Sequence, residues 1–260
     1  LMRLTGSHDR LANALGLSGR QARLHGHLDL AETRNREERE VASRSDRILR
    51  RYGATEHEAE LLQARLEATR SAGDQVSDAA VVKVRNLFEE ARDLGNDLGP
   101  NRLVSLLAKH AQFETRFGGL REAGLLLAEG RGHLPHLRGQ PLERARILEA
   151  SGEWARVAGL HGEALTYLLE AVELRKGSFT KASGASAHAH TRLDESLALL
   201  TREALSVDRP VTELDRVRRL VGDAIWDRVH EAPGMPVWSW RTKAREDAET
   251  RLRRALGGAW

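Results

Sequence analysis

The chain repeats itself at an offset of 41 residues. The stretch "LLAKHAQFETRFGGLREAGLLL" falls on "ILEASGEWARVAGLHGEALTYL". Leu107 then meets Leu148, Phe113 meets Trp154 and Gly118 meets Gly159, while Glu122, Ala123 and Leu127 meet Glu163, Ala164 and Leu168. The matches concentrate at apolar and small positions, as two copies of one helical hairpin require. A unit of this kind buries its hydrophobic face by stacking on its neighbours, so the repeat restricts the chain to a layered helical array.

Glycine placement sharpens this reading. Between Arg146 and Leu174 the chain is otherwise helix-forming, yet it contains Gly152, Gly159 and Gly162. Each glycine in a helix interior costs roughly 0.5–1 kcal/mol relative to alanine. The repeat register accounts for them: Gly152 as a close contact between helices, Gly159 as the turn, and Gly162 in a first helical turn, where the penalty is small.

Helix start and stop signals recur every fifteen to twenty residues. Thr55-Glu56-His57-Glu58 reads as a capping box opening a helix that ends at Gly73. Ser77 and Asp78 open the next, which runs to Gly95. Pro100 and Pro141 stand where a first-turn proline is tolerated, and Thr212 with Asp215 repeats the capping pattern. Roughly nine or ten helices and no strand are expected, because no segment sustains period-two alternation. Ala, Leu, Arg and Glu dominate, a composition that favours helix. The Ser-, Gly- and Ala-rich run "KGSFTKASGASAHAH" reads as a linker. The expected organisation is a helical hairpin or partial helix-turn-helix over 1–54, repeats over 55–175, a flexible linker or loop over 176–190, and C-terminal helices over 191–260.

The small residues of the repeat carry a family resemblance. Gly152, Gly159 and Ala164, with Leu148, Leu168 and Ala171, resemble the tetratricopeptide-repeat pattern, in which a small residue on each helix permits close approach and a glycine makes the turn. Ala111, Gly118 and Ala123 supply the other copy. The resemblance covers Leu103 to Leu174 best, and the 41-residue period is similar to the longer-helix variants found in kinesin light chains and in bacterial signalling ATPases and regulators. It implies an all-α, right-handed solenoid of antiparallel helix pairs. HEAT-like or armadillo-like repeats, with periods of about 40–47 residues, are the structural alternative.

Charge and motif content narrow the function. The net charge is +3 from 41 basic and 38 acidic residues, interleaved along the whole chain. A nucleic-acid binder concentrates positive charge on one face or in one block, so a nucleic-acid partner is not favoured. There is no cysteine, which excludes disulfides and thiolate metal sites. No apolar run reaches the ~18 residues of a membrane span, and a cytoplasmic, bacterial protein is the expectation. No phosphate-binding glycine loop is present. The histidine pairs His25/His27, His133/His136 and His188/His190 read as hydrated loop residues rather than a zinc set. Neither a cofactor nor a metal nor an enzymatic activity is expected.

Two segments invite other readings. "RLANALGLSGRQARLHG", Arg10 to Gly26, is similar to the last two helices of a helix-turn-helix, with a turn at Gly16 and Arg20, Gln21 and Arg23 toward DNA. The preferred reading is an amphipathic hairpin that begins the solenoid. Trp226, Trp238, Trp240 and Trp260 gather near the C-terminus, as a terminal cap or as an aromatic anchor for a partner.

The resemblance implies a non-enzymatic interaction module whose concave face, lined by the first helix of each pair, binds a peptide or protein segment. Carried over by position, that face holds Ser105, Lys109, Gln112 and Arg116 from one repeat and Arg146, Glu149, Glu153 and Arg156 from the next. This mixed-charge wall suits a partner bearing both signs. The alternative is the sensor or regulatory part of a bacterial transcriptional regulator or signalling ATPase. Arg175 is expected to be exposed.

Overall fold

A computed structural model describes residues 2–181, 193, 196, 197, 199–201, 203, 204 and 210–222. Among these residues there is no strand. The chain divides into two units, Leu1–His136 and Leu137–Trp260.

The first unit contains six helices: α1 (Met2–Leu24), α2 (Leu28–Ser43), α3 (Ile48–Ser71), α4 (Asp78–Gly95), α5 (Pro100–Phe117) and α6 (Leu120–Gly132). They pack as the hairpins α1/α2, α3/α4 and α5/α6. Local chemistry sets their ends. Ser77 is extended and its side chain accepts from the Ala80 amide, capping α4. Pro100 opens α5, where its missing amide costs nothing. Gly118 ends α5 in the left-handed region at φ 109°, and the Gly119 amide reaches back to the Glu114 carbonyl. A side chain at position 118 would strain this turn. Gly26, Gly73 and Gly159 hold the same place in the other hairpins, all with positive φ.

The three hairpins stack in two layers. Helix α1 packs on α3, and α3 is bridged to α5 by Lys109 with Glu56 and Glu60, by Arg116 with Glu67, and by the Tyr52 hydroxyl donating to the Arg102 carbonyl. In the other layer Arg39 of α2 pairs with Glu90 of α4, and Arg92 of α4 with Glu129 of α6. The core between the layers centres on Tyr52, Phe88, Leu106 and Phe113. Phe88 stacks on His110 with ring centroids 5.0 Å apart and touches Phe113 at 5.9 Å.

The second unit contains α7 (Pro141–Val157), α8 (His161–Lys181) and α9 (Pro210–Val221). Helices α7 and α8 form a hairpin, and α9 packs on α8. Its core joins Leu165, Leu168 and Val172 to Leu193, Leu197 and Leu200, with Val217 and Val221 from α9. Gly152 is the close contact that the repeat register requires. A Cβ there would stand 2.6 Å from Leu168 Cγ and 3.4 Å from the Ala164 carbonyl oxygen. Gly162 lies in the first turn of α8 with open space around it.

Several boundaries differ from the sequence expectation. Helix α3 begins at Ile48, seven residues before Thr55, which is buried and donates to Glu90 rather than capping. Helix α1 continues unbroken through Gly16, so the turn of a helix-turn-helix is absent there. Gly16 serves packing instead. A Cβ would sit 2.9 Å from both the Glu38 carboxyl carbon and His57 Cε1, in the space of the Glu38–His57 pair. Thr212 lies inside α9, whose first residue is Pro210. Helix α8 extends through residues 176–181 of the expected linker. The rest of that linker, His188, His190 and the four C-terminal tryptophans lie outside the described residues.

Candidate functional site

The first helices of the three leading hairpins meet along a charged seam. Glu56 and Glu60 project from one face of α3, four residues apart, where like charges repel. Cations on both neighbouring helices offset that repulsion. Lys109 of α5 pairs with Glu56 at 2.8 Å and also with Glu60, while Arg23 of α1 pairs with Glu60. Burial alone would raise the Glu60 pKa, but Lys109 and Arg23 outweigh it and hold the carboxyl down at about 2. Burial alone would lower the Lys109 ammonium, but Glu60 and Glu56 outweigh it and push its pKa up. Tyr52 is pushed well up, first by burial and then by Glu56.

A second charged cluster lies behind this seam. Arg85 of α4 grips Glu114 of α5 in a forked pair, Nε to Oε1 at 2.6 Å and the terminal nitrogen to Oε2 at 2.8 Å. Glu114 is fully buried. Its burial favours the neutral acid, yet the forked hydrogen bonds from Arg85, with His110 Nε2 3.4 Å from Oε1, hold the carboxyl at about 2.

Ser105, Lys109, Gln112 and Arg116 all lie on α5, in different surroundings. Ser105 is buried and Gln112 half-buried. Lys109 is committed to Glu56 and Glu60, and Arg116 reaches Glu67 at 2.5 Å with its side chain 40% exposed. The other four belong to α7 in the second unit. Arg146, Glu153 and Arg156 are half-buried there. Glu149 is buried and takes a forked contact from Arg175 and a hydrogen bond from Ser196. Arg175, expected in solvent, is therefore part of the interior. The α7–α8 hairpin turns it inward, where Glu149 supplies the countercharge.

Sequence reasoning missed Arg23, Glu56 and Glu60. The signal present was the Glu56/Glu60 spacing, which demands a cation from another element once the helix is packed. The helix-turn-helix alternative would turn Arg23 toward DNA; it instead faces α3, whereas Arg20 and Gln21 are exposed. His133 and His136 lie with ring centroids 6.4 Å apart. Among the described residues no three His, Asp or Glu side chains are grouped to hold a metal ion. No helix among them is long and apolar enough to cross a membrane. No known family model and no curated protein matches this chain.

Proposed function

We propose that this chain is a non-enzymatic protein–protein interaction module, a right-handed, tetratricopeptide-like solenoid that binds a peptide or protein segment along its first helices. The observation that carries this reading is the α1–α3–α5 seam. Within the first unit α1 stands beside α3 and α3 beside α5, and ion pairs tie them together. A wall of this kind presents polar groups at a repeating interval, which suits an extended ligand. Within the first unit Lys109 holds the wall together in this reading, while Gln112 and Arg116 supply its contacts. A guanidinium group gives forked hydrogen bonds to carboxylates.

The test places a photo-crosslinking residue at position 112 on α5 or at position 36 on the far layer. A partner captured only from position 112 is then purified and titrated. Arg116→Glu should weaken its binding at least tenfold. Arg20→Glu should leave that binding unchanged. Equal capture from both positions, or loss of a DNA gel shift with Arg20→Glu, would overturn the proposal.

A further inference from the structure

A cavity of about 700 Å³ opens between the first turn of α7 and the later turns of α8. Leu142 and Leu174 give it an apolar floor, and Leu142 stays 47% exposed. Gly177 widens it, since a Cβ at that helical position would meet nothing within 4 Å. Glu143, Glu170 and Glu173 stand around the opening. Of these three carboxylates, Glu170 meets Arg144 at 3.4 Å.

This combination selects a ligand chemistry. An anionic group is repelled by the rim, and a wholly polar cation gains nothing from the floor. A bare metal ion lacks a converging set of ligands among the described residues. Glu143 lies in the first turn of α7, where unpaired amides already favour a carboxylate. Glu170 and Glu173 therefore exert most of the pull, and their spacing puts them on one face of α8. We infer that the cavity docks a protein segment carrying an arginine or lysine beside a leucine-like side chain. The aliphatic group fills the floor over Leu142 and Leu174, and the cation bridges Glu170 and Glu173. This surface belongs wholly to the second unit, so it goes beyond the groove reading.

The experiment uses the full chain and three fluorescein-labelled, end-blocked peptides: alternating leucine and arginine, leucine and glutamate, and serine and arginine. Fluorescence anisotropy should show saturable binding of the leucine–arginine peptide, at least tenfold weaker binding of the serine–arginine peptide, and none of the leucine–glutamate one. The double variant Glu170→Gln with Glu173→Gln should weaken the first peptide at least tenfold. Gly177→Leu should do the same by filling the cavity, with a helical circular dichroism spectrum unchanged. If Gly177→Leu fails to fold, the glutamine variant alone decides. Undiminished binding in the glutamine variant would place the peptide elsewhere, and absence of binding to the wild type would refute the site. A concentration-dependent dimer in sedimentation velocity, abolished by the glutamine variant, would refute it in favour of a second copy as occupant. None of these outcomes depends on crosslinking at position 112, so the two proposals fail separately.

Discussion

The carboxylate of Glu114 fills the space that a side chain at position 119 would need. A Cβ on Gly119 would stand 3.0 Å from the Glu114 carboxyl carbon and closer still to Oε2. Gly119 has an ordinary negative φ of −90°, so room rather than backbone freedom demands glycine here. Gly119→Ala should therefore loosen the forked Arg85–Glu114 pair and cost about 1–3 kcal/mol, the range for a disturbed buried charged hydrogen bond. Urea unfolding of Gly119→Ala, Glu114→Ala and the double variant checks this. The double variant should lose less than the sum of the single losses, because both remove the same contact.

Acid should act through Glu60 and Glu114. Both carboxyls are held at about 2 in the folded chain, below the ordinary glutamate value. Their stabilisation is complete above the unfolded pKa, and it fades as pH falls from about 4.5 toward 2. The denaturation midpoint should drop across that window. Glu114→Gln should make the drop shallower while lowering the midpoint at pH 7. An identical pH profile for the variant and the wild type would remove Glu114 from this account.

The α7–α8 seam makes a sharper test of packing. Gly152→Leu drives a side chain into Leu168 and should cost roughly 1–3 kcal/mol by overpacking, or more if Leu168 finds no other rotamer. Arg175→Ala should cost about 3–5 kcal/mol, since it strands the buried Glu149 charge. Arg36, whose side chain is 77% exposed, serves as the control, and its replacement by alanine should stay within about 0.5 kcal/mol. Thermal melts of all three variants measure the order.

Lys109 should behave as a structural residue in a position that looks like a binding one. Replacing it by methionine keeps much of the stem packing but leaves Glu56 and Glu60 facing each other, with Arg23 pairing Glu60. A loss of about 3 kcal/mol or more is expected. Adding Glu60→Gln to Lys109→Met should recover part of it. No recovery in chemical denaturation would mean that packing of the lysine stem, not charge, sets the cost.

Read alone, the sequence determined the helical class, the hairpin as the unit, the turn glycines at 118 and 159, and the close contact at Gly152. These are local or periodic properties. A glycine after a run of helix formers marks a stop, and a small residue seven positions earlier marks a face, whatever surrounds the hairpin. Tertiary structure alone decided where α3 begins and which charges are interior. Helix α3 touches α1, α2 and α4 and is tied to α5, so it buries Thr55, Glu56 and Glu60 as well as its apolar residues. That erased the amphipathic contrast and left Thr55 resembling a cap. Arg23 and Arg175 read as solvent charges for the same reason. These ion pairs, one part-buried and one buried, join residues tens of positions apart, 37 between Arg23 and Glu60 and 26 between Arg175 and Glu149, and only the packed helices bring each cation to its carboxylate.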